Sequence, residues 1–315
     1  MPKKNRIWGR WVACGPAFIE SGQGRLYFVT DSSGELEGDY VLKELKNPKR
    51  IDRFNNELQA IAALKEHPNV VPLVDSGIYR NPEKPSYVMP KAEGTLEDYI
   101  INNPVSIEDR LYIFDQICEG VAYLHRTCII HRDIKPENIL MFSGVPKVTD
   151  LGLCLIAEAV RVTPSSEAVG PRFYMAPELE DGKHVDVSFE ADVYSLGKLL
   201  YYLLSDGKIF SREKYRDRDW YLPRLKDDSR LELFNAVFQK SIVVDVSQRY
   251  ANAGELQKAF RETFDKYRRH PLTGYCIRPP LGIHFLVYAW LCENHYSKGG
   301  LYAILHQNSQ ALLRN

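Results

Sequence analysis

An aspartate, a lysine two places on and an asparagine three beyond that can act on one small volume only if the backbone between them folds back. The stretch His131-Arg132-Asp133-Ile134-Lys135-Pro136-Glu137-Asn138 has this spacing, and Pro136 favours the turn. Twelve residues after Asn138 comes Asp150-Leu151-Gly152, a second carboxylate at a turn. Asp133 can accept a proton from a hydroxyl, and Lys135 can neutralise a phosphoryl oxygen. The Asn138 side-chain oxygen and the Asp150 carboxylate can ligate a divalent cation. Taken singly the motifs are bland, since His-Arg-Asp is a common tripeptide and Asp-Leu-Gly reads as a simple turn. It is their order and separation that constrain the chain.

The pair resembles the H-R-D-L-x-x-x-N and D-F-G motifs of eukaryotic-type protein kinases. That resemblance implies an α+β, bilobal fold, with a small β-rich lobe holding one long helix and a larger, mostly helical lobe. It implies transfer of the γ-phosphoryl group of Mg-ATP to a protein hydroxyl, with ATP and Mg2+ as cofactors. Lys135, two after Asp133, implies serine or threonine acceptors rather than tyrosine. In these terms Asp133 and Lys135 are catalytic, and Asn138 and Asp150 hold the metal.

The nucleotide side is read from the N-terminal third. Trp11 to Thr30 alternates apolar residues around Glu20-Ser21-Gly22-Gln23-Gly24, a turn between two strands. Glycines there let backbone N–H groups approach phosphate oxygens. Set against the family's G-x-G-x-x-G-x-V, Gly22, Gly24 and Val29 match, while Tyr27 replaces the third glycine. That departure is expected to stiffen the loop and narrow the space above the phosphates. The strand Asp39 to Leu45 carries Lys43, which the resemblance assigns to the α- and β-phosphates. From Ile51 to Lys65, Ile51, Phe54, Leu58, Ile61 and Leu64 recur at helical spacing. Glu57 lies beside that apolar face, where a bare carboxylate is costly, so pairing with Lys43 answers both needs. Further strands are expected at Val71 to Asp75 and Ser86 to Met89. Pro90-Lys91-Ala92-Glu93-Gly94 then resembles the hinge between lobes. Pro90 keeps a carbonyl that can accept from adenine, Ala92 can donate, and Met89 guards the back of the pocket.

Ser106-Ile107-Glu108-Asp109 reads as a capping box opening a helix to about His125, with Leu111, Phe114, Cys118, Val121 and Ala122 inward. The 29 residues from Asp150 to Glu178 end in Ala176-Pro177-Glu178, a kinase-like ending. The resemblance adds Arg249 as the partner of Glu178 and Asp192 as an anchor for the catalytic-loop backbone. Pro171 follows Gly170 where Ser/Thr kinases carry threonine, which puts substrate positioning in question. Thr163, Ser165 and Ser166 are candidate autophosphorylation sites, because a phosphate there brings about −1.5 to −2 charges toward Arg132. The alternative is an ordered segment in which Glu167 or another carboxylate meets Arg132. The domain reading is a basic N-terminal tail at 1–10 and a kinase domain at 11–270. Within that domain the small lobe covers about 11–89, the hinge 90–94 and the large lobe about 95–270. An extension at 271–315 either packs on the large lobe or binds a partner.

Composition adds limits. The chain has 315 residues, 44% hydrophobic and 26% charged, as a soluble globular protein does, with no internal repeat. Its 41 basic and 41 acidic residues balance, but residues 1–10 carry four basic groups and no acid, and residues 266–315 six basic groups and one acid. Solvated ends, or weak attraction to a membrane or nucleic acid, would each fit. A protein bearing a Ser/Thr hydroxyl is the expected partner, and nucleic acid is not. The six cysteines form no C-x-x-C pair, so neither a zinc site nor a disulfide framework is indicated. The start MPKKNRIWGRW lacks a signal-peptide core, and the longest apolar run, near Leu281 to Cys292, is too short for a membrane span, so a cytoplasmic protein is expected. The alternative function is a pseudokinase-type binding or scaffolding module, supported by Tyr27 and Pro171. Against it, Lys43, Glu57, Asp133, Asn138 and Asp150 are all present. A small-molecule phosphotransferase is disfavoured by Lys135-Pro136-Glu137 and Ala176-Pro177-Glu178.

Overall fold

The computed structural model describes residues 6–20, 24–76, 85–151, 155–156, 173–180 and 187–270. All lie in the first of the two units into which the chain divides, Met1–Leu272, the second being Thr273–Asn315. Expectations resting on Gly22, Gly152, Thr163, Ser165, Ser166, Glu167, Gly170, Pro171 and the extension at 271–315 fall outside the described residues.

Period-two alternation near the N-terminus builds an antiparallel sheet. Its strands are β1 (Ile7–Trp8), β2 (Trp11–Ala13), β3 (Ile19–Glu20), β4 (Gly24–Asp31), β5 (Tyr40–Leu45) and β6 (Ser86–Pro90), in the order β1-β2-β4-β5-β6 with β3 paired to β4. Alternation gives the sheet two apolar faces. Trp8, Trp11, Tyr27, Val29, Leu42 and Val88 make one buried cluster, on the outer face. Val41, Leu45, Tyr87 and Met89 make the other, against Phe54 of helix α1 (Ile51–Ala63). Gly24 opens β4 opposite Leu45, and a Cβ there would sit 2.8 Å from the Glu44 carbonyl oxygen, so only glycine lets the strands meet at that point.

Two expectations change. Val71 to Asp75 is not a strand, because its neighbourhood is bridged to different partners: Val70 to Val148, and Asp75 to Val88, so no continuous ladder forms. Residues 6–10, read as the end of a basic tail, instead contribute β1. The reason is apolar: Trp8 and Trp11 are buried over the outer face of the sheet, and the Trp11 Nε1–H donates to Asp75 Oδ2 at 2.8 Å.

The large lobe follows with β7 (Gly94–Thr95), α2 (Leu96–Asn102), α3 (Ile107–Arg126), β8 (Ile129–Ile130), β9 (Ile139–Phe142), β10 (Val145–Val148) and β11 (Leu155–Ile156). Helices α4 (Glu190–Leu204), α5 (Leu222–Lys226), α6 (Asn235–Phe238) and α7 (Ala253–Arg269) complete it. Thr95 and Asp98 cap α2 reciprocally. Ser106 caps α3 through the Asp109 N–H, and its hydroxyl donates to the Asp109 carboxylate. The five inward residues expected of α3 are all buried. Helix α4 is buried from Ala191 to Leu204 and forms the centre of the lobe, beside α3 and α7. Among the described residues no helix is long and apolar enough to cross a membrane.

Two buried cations illustrate how this lobe accommodates charge. The Arg249 guanidinium donates to both Glu178 oxygens, at 2.7 and 2.9 Å, and to the carbonyls of Glu190, Val243 and Val244, which uses all five of its N–H groups. Lys198 has no such carboxylate among the described residues. Its ammonium donates to the Phe210 and Arg212 carbonyls at 2.6 and 3.1 Å and lies 3.5 Å from the Phe210 ring centroid. Burial, with the Arg212 charge adding to it, pushes its pKa down to about 7.

Replacing Arg249 by methionine strands Glu178 and is expected to cost about 3–5 kcal/mol in urea unfolding. An unfolded lysine keeps its proton to about pH 10.4, so between the folded pKa and that value the unfolded state binds more protons than the folded one. Stability is therefore expected to rise with pH from about 7 upward, and Lys198→Met to flatten the rise. A slope that persists in the variant refutes the assignment.

Candidate active site

Lys43 of β5 stands opposite Tyr87 of β6, and both face α1. Its ammonium donates to Glu57 Oε1 at 2.7 Å and lies 3.3 Å from Asp150 Oδ1. The Tyr87 hydroxyl donates to the same Glu57 oxygen at 2.8 Å. Burial alone would push the Lys43 pKa down, but Asp150 and Glu57 outweigh it and hold the ammonium well above its ordinary value. Burial pushes Glu57 up against the pull of Lys43. Burial and then the Glu57 charge push Tyr87 well up, so its hydroxyl stays a donor. Sequence reading missed Tyr87. The available signal was parity: once β5 and β6 pair, Tyr87 and Met89 fall on the Lys43 face.

The loop from His131 to Asn138 hangs on Asp192 of α4. Its carboxylate accepts the His131 N–H at 2.8 Å, the Arg132 N–H at 2.8 Å and His125 Nε2–H at 3.0 Å. Burial raises the Asp192 pKa, but these hydrogen bonds prevail and keep it below the ordinary carboxylate value. Arg132 and Asp150 have φ of +68° and +62°. For non-glycine residues such backbone costs on the order of 1–3 kcal/mol each and persists only where neighbours impose it. His131 is fully buried, and its Nδ1 accepts the Asp133 N–H at 3.2 Å, which leaves the proton on Nε2 to donate to the Thr149 carbonyl at 2.9 Å. One imidazole thus ties the loop to the residue before Asp150.

Pro136–Asn138 makes a single 3-10 turn that brings Asn138 back toward Asp133. Asn138 Nδ2 donates to the Asp133 carbonyl at 2.7 Å and to its Oδ2 at 2.9 Å. Lys135 Nζ donates to Asp133 Oδ1 and Oδ2 at 3.1 and 2.8 Å. Asp133, Lys135 and Asn138 therefore share one volume. With its amide nitrogen committed, Asn138 has its oxygen left for a cation, and the Asp150 carboxylate is a second hard donor.

In the stretch from Pro90 to Gly94, Lys91 N–H donates to the Asp39 carbonyl and Glu93 N–H to the Met141 carbonyl. The Ala92 N–H between them makes no backbone hydrogen bond among the described residues. Tyr40 and Pro90 form a non-hydrogen-bonded pair of the antiparallel ladder, so proline's missing N–H costs the sheet nothing and its carbonyl points away from β5. Met89 is buried behind them in the inner cluster.

Val29 and Tyr27 are corrected. Tyr27 pairs with Leu42 and Val29 with Tyr40, so both project to the outer face, away from Lys43. Tyr27 thus does not narrow the space above the phosphates. The inner-face residues of β4 are Leu26, opposite Lys43, and Phe28, opposite Val41. Phe28 is 38% exposed, its ring stacked 3.9 Å from that of Phe18 with the Lys91 ammonium 5.1 Å away. From the large lobe, Leu140 and Phe142 of β9 reach the same inner cluster.

The model of the protein kinase domain matches residues 22–249. Over 264 residues the chain is 31% identical to the serine/threonine-protein kinase PrkC of Bacillus subtilis, covering 78% of this chain and 39% of that one. Over 240 residues it is 30% identical to the serine/threonine-protein kinase PknB of Mycobacterium leprae, covering 70% and 38%. Over 231 residues it is 32% identical to a probable cell division protein kinase of Encephalitozoon cuniculi, covering 72% and 84%. The chain thus spans about two fifths of the length of the two bacterial relatives. The crystal structure of the Mycobacterium tuberculosis PknI kinase domain superposes with a TM-score of 0.61 at 20% identity, over 82% of this chain and 98% of that one, and so shares its fold. With a two-lobed α+β fold and a family match running from Gly22, just ahead of β4, to Arg249, this chain belongs to the protein kinase family.

Proposed function

We propose that this chain is an ATP-dependent protein serine/threonine kinase. The observation that carries the reading is a pair of side-chain sets, each drawn together by the fold: Lys43 with Glu57 and Asp150, and Asp133 with Lys135 and Asn138. Asp133 accepts the proton of the acceptor hydroxyl, and Lys135, held beside it, neutralises the transferring group. Lys43, fixed by Glu57, takes the α- and β-phosphates. The adenine edge meets the Pro90 carbonyl and the Ala92 N–H, with Met89 behind. Gly24, with Gly22 ahead of it, brings backbone close to the phosphates. Asn138 and Asp150 would hold Mg2+, which suits two protein oxygens because it keeps waters and substrate phosphates in its shell. When bound, the ion neutralises phosphate charge. Tyr27, one of two supports for a binding-module reading, sits on the far face of the sheet and no longer favours it. Thr163, Ser165 and Ser166 remain the candidate autophosphorylation sites.

Incubation with labelled ATP and a generic protein substrate tests the reading. Asp150→Asn is expected to abolish Mg-dependent phosphotransfer, because an amide cannot balance the cation's charge. Asp133→Asn should lower kcat by about a hundredfold or more, with nucleotide affinity retained. Near wild-type turnover in either variant refutes the site. Mass spectrometry after incubation with ATP is expected to find phosphate on the 163–166 cluster, and a fully active Thr163, Ser165, Ser166 triple alanine variant would mean that it is not required.

A further inference from the structure

Glu44 follows Lys43 on β5 and points to the opposite face of the sheet. It is 6% exposed, and a carboxylate so placed needs partners. They come from three directions. Trp8 Nε1–H of β1 donates to Oε1 at 3.2 Å, Arg6 Nη1 to Oε2 at 3.1 Å, and Arg25 of β4 approaches Oε2 at 3.9 Å. The same Arg6 group donates to the Tyr27 hydroxyl, and its guanidinium lies 5.3 Å from the Tyr27 ring centroid. The Trp8 ring packs 4.9 Å from that of Tyr27. The backbone of Glu44 is engaged as well, since its carbonyl is the atom that Gly24 approaches.

We propose that Glu44 is a positioning residue for the nucleotide, the knot by which the N-terminal strand clamps β4 to β5; this rests on the kinase reading above. The strand order puts β2 and β4 between β1 and β5, so Trp8 and Arg6 reach across Tyr27 to grip Glu44. The inner side of the clamped region is the Leu26–Lys43 pair, two residues after Gly24 opens β4. Loosening the outer side lets β4 shift against β5 and moves Gly24 relative to Lys43. Lys43 itself keeps Glu57 and Asp150 on the inner face. Ground-state capture of the nucleotide should therefore weaken while turnover at saturating ATP is kept.

Three variants test this: Glu44→Leu, Glu44→Gln, and Trp8→Phe, which keeps a ring but loses the N–H. For each, the Michaelis constants for ATP and for the protein substrate, kcat, ADP affinity by calorimetry and the melting temperature are measured. Glu44→Leu and Trp8→Phe are expected to raise the ATP KM and the ADP Kd by about fivefold or more, with kcat and the protein-substrate KM unmoved. Glu44→Gln, which still accepts from Trp8 but turns an N–H toward Arg6, should recover part of the loss. A lower melting temperature with unchanged ATP KM and ADP Kd overturns the inference. If Glu44→Leu does not fold, the nucleotide constants of Trp8→Phe alone decide between the two outcomes. A wild-type chain that binds no ADP and transfers no phosphate would instead refute the kinase reading itself.

Discussion

A single carboxylate with no solvent exposure organises the large lobe around the site. Asp192 projects from α4 and takes the His131 and Arg132 N–H groups, so the loop carrying Asp133 is gripped by its backbone. A lone buried carboxylate would be prohibitive, and this one is sustained only by its full set of donors. His125 is one of them, and its other nitrogen accepts the Ala253 N–H at the start of α7. The chain of contacts runs from α7 through His125 and Asp192 to His131, and from there to Thr149. Helices far apart in sequence thus converge on one loop, which can then hold Arg132 in a left-handed conformation.

The two lobes treat buried charge alike, but to different ends. Arg249 and Glu178 are paired and hydrogen-bonded to completion, an arrangement that fixes structure. Lys43 is shared between Glu57 on a helix and Asp150, which follows β10. That division draws α1, β5 and the Asp150 turn to one point, where a polyanionic ligand would find a cation already in place.

Some of this was legible in the sequence for a physical reason: Asp133, Lys135 and Asn138 lie close along the chain, so a single proline turn suffices to unite them. Glu57 was legible because helical spacing put a carboxylate beside an apolar stripe. Val29 and Tyr27 were misplaced because counting from glycines fixes position along a strand without fixing its face. Parity comes from the partner strand, and the Leu26–Lys43 pairing reverses the assignment. Phe28, Leu140 and Tyr87 were missed for the same cause, since each is defined by what lies across from it. Trp8 was hidden because a two-residue strand is too short to display a period. Arg249 and Asp192 carry no local signal, and only resemblance to a family pointed to them.

The Arg249–Glu178 clamp has a consequence for the stretch that precedes it. Leu151 is buried in the large-lobe core at one end, and Glu178 is fixed at the other. Between these anchors β11 pairs with β8, Ala176 is fully buried and the Tyr174 carbonyl accepts from the Ser195 hydroxyl, so the described residues of the stretch are held by the lobe as well as by its ends. A substitution at one of those positions would act on the core directly, whereas the clamp reaches them only through a single guanidinium.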